Sequence, residues 1–312
     1  VLAGWQFYRT ATNLSYLLPV FKGIHRAAQD LGCNLLLGCG MGASASPDDP
    51  PRPAWPYPSQ DVDFVPIGPH NTDGILFFTP LRSPARSQDV QALRKAGHPV
   101  LFIGSGEVGP TLAADNQGGV FEAIRHLVEH GHQRIAFLAG SPDDMEGDTG
   151  ERLNAYLAAL QSYGLEFDPR RVAYGRHVYD GGYSALQQVL ESGVAFSAVI
   201  ASNDESALGA MQSLKDAGRD IPKDVAVIGF DNRMEGAAHK PSLSSIHVPL
   251  FNMGHQAVEY MFRHIQEKAA LPEVVRIGTR LVMRESCGCG SKDPPLPPLG
   301  KGGKQLRSLM LS

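Results

Sequence analysis

The chain has 312 residues, of which 43% are hydrophobic and 19% charged, with a formal net charge of -4. That is enough apolar chain for a large core split between two lobes, because single cores stop growing near ~250 residues. The acidic balance gives no whole-chain attraction to a phosphate backbone, and the lack of any apolar run near ~18 residues excludes a membrane-spanning helix.

Val1 already lies in a strand-like run, so the sequence reads as a piece of a longer protein. "GWQFYRTATNLSY" (Gly4 to Tyr16) follows, where Trp5, Phe7, Tyr8 and Tyr16 suit either a stacking surface for an apolar sugar face or ordinary core packing. Val20, Ile24, Ala27, Ala28 and Leu31 then fall on one helical face that ends at Gly32. The run Asn34 to Gly38 reads as a buried strand, with Cys33 beside it as a small core residue. Residues 44–69 break the rhythm: proline recurs too often for a helix, which predicts a long insertion, either a surface excursion or, through Trp55 and Tyr57, a lid.

Two further apolar runs, Gly74 to Phe78 and Pro99 to Ile103, are expected strands, and the second leads into a complete G-x-G-x-x-G at Gly104 to Gly109. A dinucleotide fingerprint needs a helix N-terminus directly behind its glycines. Here Pro110 and Thr111 follow and helical periodicity resumes only near Gly118, so the glycines are expected to join strand to strand, and no dinucleotide or other cofactor is expected. Helical faces recur at Val120, Ile124, Leu127 and Val128 and at Leu153, Tyr156, Leu157 and Leu160, closed by Gly131 and Gly164. Arg134 to Ala139, Ser197 to Ala201 and Val225 to Phe230 read as buried strands between them. The alternation predicts an α/β fold of two doubly wound parallel sheets.

Polar residues gather where those strands end. Arg152, near a helix start, carries a fork that can hold vicinal hydroxyls or a carboxylate, or a surface ion pair. Ser202-Asn203-Asp204-Glu205 has the spacing of a capping box, while Asn203 can also offer donor and acceptor to a hydroxylated ligand. Asp231 closes its strand as a turn residue or as an acceptor of hydroxyl protons. Cys287-Gly288-Cys289 is too sparse for zinc, and no nearby His or Cys pair completes a site, so the chain reads as reduced and metal-free. Residues 287–312 turn proline-rich and then basic, as a linker does.

"DNQGGVFEAIRHLVEHGHQRIAFLAG" (Asp115 to Gly140), "ERLNAYLAAL" (Glu151 to Leu160), "ASNDESALGAMQSLKDAGRDIPKDVAVIGFDN" (Ala201 to Asn232) and "PSLSSIHVPLFNMGHQAV" (Pro241 to Val258) resemble the effector-binding domain of LacI-type transcriptional regulators. The resemblance implies the two-lobed fold of the type I periplasmic sugar-binding proteins, with chain crossovers at a hinge and a small-molecule site in the cleft. The expected lobes are 1–112 with 249–275, and 113–248 with 276–286. In the family the arginine and aspartate matching Arg152 and Asp231 contact effector, and the region of His177 and Tyr179 places an aromatic on the cleft. Val248 stands where relatives often carry a ligand-contacting glutamine and Gly104 where an aspartate often follows the fourth strand, Ala155 replaces a usual glycine, and the insertion replaces the expected second helix, so no particular sugar transfers.

The resemblance further implies a cytoplasmic homodimer that senses a small polar, sugar-like effector and reaches DNA only through a helix-turn-helix absent from these residues. A sensory module with a downstream output domain, suggested by "RESCGCG" (Arg284 to Gly290) before a linker, and a sugar-binding protein of a transport system remain alternatives. An enzyme is not expected: there is no G-x-S-x-G or H-E-x-x-H, and the eleven histidines are scattered.

Overall fold

A computed structural model of the chain describes residues 2–4, 11–36, 38–40, 68–79 and 84–289, with side chains at 17–36, 68–79 and 87–289. The first part of the chain alternates strand and helix: β1 (Leu2–Gly4), α1 (Ala11–Asp30), β2 (Gly38–Gly40), β3 (Ile75–Phe78), α2 (Pro84–Lys95), β4 (Val100–Ile103) and β5 (Thr111–Ala114). The alternation continues through α3 (Asn116–Glu129), β6 (Ile135–Ala139), α4 (Asp148–Ser162), β7 (Val172–Tyr174), α5 (Tyr179–Glu191), β8 (Ala198–Ala201), α6 (Asp204–Asp216) and β9 (Ala226–Asp231). It closes with α7 (Met234–Ala238), β10 (Ser244–His247), α8 (Leu250–Glu267), β11 (Val274–Ile277) and β12 (Arg280–Val282).

These strands form two six-stranded sheets, ordered β11-β5-β4-β3-β1-β2 and β12-β10-β9-β8-β6-β7. Every residue of β4, β6, β8 and β9 is buried, which is why those segments are apolar without alternation: helices cover both faces. On the first sheet, Gly23 of α1 faces the Phe251 carbonyl and Gly254 of α8 faces the Val20 carbonyl, so two backbones meet without side chains between them. In the second lobe Tyr156 stacks on Phe137 at 4.9 Å and donates its hydroxyl to the Ile135 carbonyl at 2.9 Å, joining α4 to β6. Gly32, Gly131 and Gly164 all adopt the left-handed conformation that ends the three helices anticipated from periodicity.

Three expectations change. The apolar run after Cys33 is not a strand at residues 34–36; among the described residues pairing begins at Gly38, where the register of Leu2–Gly4 meets Gly38–Gly40. The second sheet is not wholly parallel, since β12 runs antiparallel to β10 at its edge. The chain also changes sheets two residues later than the lobe boundaries expected at 112 and 275: β5 and β11 pair in register over 111–114 and 274–277 before either leaves. At the crossings the Asp115 N–H donates to the Ile277 carbonyl at 2.8 Å and the Thr279 hydroxyl to the Asp115 carbonyl at 3.0 Å, so the two connections are tied into one joint. Of the expected insertion only Gly68 and Pro69, and of the expected tail only 287–289, fall among the described residues. Among the described residues no helix is long and apolar enough to cross a membrane.

Candidate functional site

In an open parallel sheet the crevice for a ligand lies beyond the carboxyl ends of the strands. Here β9 ends at Asp231, β8 leads into Ser202 and Asn203, and β5 into Asp115 and Asn116. Arg152, in the second turn of α4, reaches over these ends with its side chain 4% exposed. Its Nε donates to Asn116 Oδ1 at 2.8 Å, its Nη1 donates to the Ser202 carbonyl, and its guanidinium carbon lies 3.7 Å from the centre of the Phe230 ring. The cation lies over an aromatic face, and its two hydrogen bonds fix the direction of its remaining N–H groups. Asn116 is itself clamped, its amide donating to Asp148 Oδ1 at 2.8 Å and Glu151 Oε2 at 2.7 Å.

Asp231 is buried beside that arginine. Its backbone φ is 105°, a region that costs a side-chain-bearing residue about 1–3 kcal/mol and persists only where surrounding structure imposes it. Among the described residues its Oδ1 atom is buried without a hydrogen-bond partner. Burial pushes its carboxyl well above the usual range, with Arg152 pulling the other way. Asp204 is the contrasting neighbour: burial raises it to about 7, yet both its oxygens are engaged, by the Ser245 hydroxyl at 2.5 Å and the Arg233 N–H at 2.6 Å.

Asn203, not Ser202, is the cap of α6. Its Oδ1 accepts from the Ser206 N–H at 2.9 Å and its Nδ2 donates to the His177 carbonyl at 3.0 Å, leaving each atom a second hydrogen-bonding position. The expected four-residue box shifts by one because Asn203 is the residue with extended backbone before the first helical turn. His177 is half-buried on the same wall, with Nε2 3.2 Å from Thr149 Oγ1 and Nδ1 3.5 Å from Ser202 Oγ.

The first lobe meets this cluster at two places. Arg276 of β11 grips Glu151 of α4 through both carboxylate oxygens, at 2.6 and 2.8 Å, and also donates to Ser105 Oγ at 3.2 Å. The glycines after β4 do join strand to strand, and Gly106 among them (φ 102°) passes so close to Gly147 at the entry of α4 that a Cβ on Gly106 would lie 3.1 Å from the Gly147 Cα. Gly106→Val is therefore expected to lower the melting temperature, through a backbone strain of about 1–3 kcal/mol for a β-branched residue at positive φ. A melting curve superimposable on that of the unsubstituted chain would show that this loop is not held against α4.

Arg152, Asn203, Asp231 and His177 thus lie at neighbouring strand and helix ends, joined through Ser202, the His177 carbonyl and the Phe230 ring. Tyr179 opens α5, is 40% exposed, and its backbone carbonyl packs on Gly209 of α6. Trp5 and Tyr8, and the side chain of Tyr16, lie outside the described residues. Asn116, Ser202, Glu151 and Arg276 were not picked out from sequence; the polar "DN" behind a strand was the one local signal for Asn116. The reading that no histidine pair stands near Cys287 and Cys289 also fails in three dimensions, because the end of α3 brings His126 and His130 to Cys289 at 3.5 and 3.3 Å.

A family model for the periplasmic binding protein-like domain matches residues 124–287. The HTH-type transcriptional regulator CelR of Thermobifida fusca is 34% identical over 221 residues, which cover 69% of this chain and 64% of that protein. Catabolite control protein A of Priestia megaterium is 27% identical over 217 residues, with the same coverage of 69% and 64%. The chain therefore spans about 64% of the length of these curated relatives. Among solved structures, a transcriptional regulator CelR-cellobiose complex superimposes with a TM-score of 0.72 at 26% identity, covering 87% of this chain and 79% of that one.

Proposed function

The chain belongs to the periplasmic binding protein-like domain family, as the effector-binding domain of LacI-type regulators, and on that basis we propose that it senses a small polyhydroxylated ligand by closing its two lobes. The observation that carries this reading is the Asp231 carboxyl group: a strained, buried residue whose Oδ1 lacks a partner among the described residues, set near Arg152, whose guanidinium lies over the Phe230 ring. Evolution does not retain a buried unpaired acceptor for stability, since such a group costs about 1–3 kcal/mol. A vicinal diol satisfies both sides, donating its hydroxyl protons to Asp231 and accepting from Arg152. Asn203 and His177 form the wall.

Ligand held between Asp231 and Arg152 on one side and the first lobe on the other favours the closed arrangement, and only its differential affinity for that arrangement moves the equilibrium. In a homodimer this closure changes the separation of two DNA-reading segments that lie outside this chain, which is how a regulator in the cytoplasm converts binding into transcription. The relatives named above are transcriptional regulators, so on this reading ligand is bound and released unchanged.

The test is a thermal-shift panel of mono- and disaccharides, with cellobiose included because the CelR complex contains it. A recognised sugar at a hundred times its Kd is expected to stabilise the chain by about 2.7 kcal/mol. If no sugar in the panel moves the melting temperature at millimolar concentration, the carbohydrate reading fails. Sedimentation is expected to give twice the 33.6 kDa chain mass.

A further inference from the structure

We propose that His126, His130, Cys287 and Cys289 form a binding site for one zinc-class divalent cation, which fastens the end of the domain to the foot of α3. His126 lies in the last turn of α3 and His130 caps its end, with ring centres 4.3 Å apart. Cys287 closes a short 3-10 turn, and Gly288 at φ 90° reverses the chain so that Cys289 returns over the two rings. The ligating atoms of His126, Cys287 and Cys289 all lie within 4.8 Å of one another. Cys289 Sγ is 3.5 Å from His126 Nε2 and 3.3 Å from His130 Nε2.

The two Cys289 separations match edges of a tetrahedral zinc site; Cys287 lies within 4.8 Å of His126 and Cys289, and His130, close to Cys289, completes the set by drawing in on the ion. Zn–S bonds of about 2.3 Å and Zn–N bonds of about 2.0–2.1 Å place ligand atoms roughly 3.3–3.8 Å apart along the edges of the tetrahedron. The outer shell is prepared as well. His130 Nδ1 is 2.8 Å from the His126 carbonyl, which can only accept, so the proton sits on Nδ1 and the Nε2 lone pair faces Cys289. Two thiolates cancel the charge of a divalent ion, so the neutral assembly tolerates burial beside Cys287 at 3% exposure and His126 at 6%. Sulfur and imidazole ligands select zinc over magnesium or calcium, which prefer oxygen. The site escapes a reading of sequence spacing because a C-x-C and an H-x-x-x-H more than 150 residues apart form no recognised motif.

The experiment uses the full chain, prepared without a histidine tag or chelator, with zinc measured by elemental mass spectrometry. One ion per chain is expected. Replacement of zinc by cobalt(II) is expected to give the strong visible bands of a tetrahedral site together with a thiolate charge-transfer band. Cys289→Ser and His130→Ala alter the more exposed ligands, so both are expected to keep the native circular dichroism while losing zinc affinity at least about tenfold, the lower end for disturbing even an outer-shell partner. The proposal is overturned if the chain takes up no zinc against a chromophoric chelator, or if both variants bind as tightly as the parent. It is also overturned by a six-coordinate cobalt spectrum without a thiolate band, or by isolation of the protein with Cys287 and Cys289 joined as a disulfide.

Discussion

Asp231→Asn is expected to raise the melting temperature of the unliganded chain and to weaken sugar binding by roughly tenfold to a hundredfold. The two effects have one origin. Burial dominates the carboxyl, its Oδ1 lacks a partner among the described residues, and neighbouring Asp204 and Asp148 oppose its ionisation, so the free protein bears the cost of a charge that ligand relieves. A hydrogen bond to a charged group is worth about 1.5–3 kcal/mol, which sets the loss of affinity. The sign of the pH effect follows from the raised folded value: an unfolded aspartate ionises near ~3.9, so the parent loses stability as pH rises above that point, whereas asparagine has nothing to ionise. The stabilisation by Asp231→Asn is therefore expected to grow between pH 5 and pH 8. A variant that melts lower at pH 8 and binds its sugar normally would make Asp231 a structural turn residue.

Asp204→Ala is expected to do the opposite. Removing this carboxylate strips the acceptor from a buried Ser245 hydroxyl and from the Arg233 N–H, at about 1–3 kcal/mol each. Against a total stability of the order of 5–15 kcal/mol, that is among the most damaging single changes available. Because burial lifts the Asp204 carboxyl to about 7, its contribution is fully present below about pH 4 and is lost as pH rises through about 7. Urea midpoints at pH 5 and pH 8 are expected to differ less in Asp204→Ala than in the parent. Equal midpoints for variant and parent would show that Asp204 ties nothing together.

Why Asp204 has both oxygens engaged while neighbouring Asp231 keeps one unpartnered among the described residues is not legible in sequence, where each is a polar residue at a strand end. The strands that could be read, such as Arg134 to Ala139 and Val225 to Phe230, are apolar because both faces of the sheet are covered. β10 escaped because two of its three buried positions are serines. Ser244 Oγ accepts from the Arg284 N–H at 2.8 Å and Ser245 Oγ donates to Asp204, so polar side chains sit fully buried with partners supplied by residues about forty positions away. The candidate site divides the same way. Arg152, Asn203 and Asp231 announce themselves by residue type at strand and helix ends, but Asn116, Glu151 and Arg276 join them only through the two crossings. The metal-ligand cluster is the extreme case, since neither half has chemistry without the other.

The shared edge of β5 and β11 also constrains how the molecule is made. The second sheet draws β6 to β10 from one uninterrupted stretch of chain and adds only β12 at its border. The first sheet cannot cover its β5 edge until Val274–Ile277 has been synthesised, and α1 cannot find α8 until Leu250–Glu267 has emerged. Residues produced first on the ribosome therefore wait with an open strand and a bare apolar helix face, while the middle of the chain already has its partners. For such a topology the early product is the part most exposed to chaperones and to mispairing, although it carries the amino terminus.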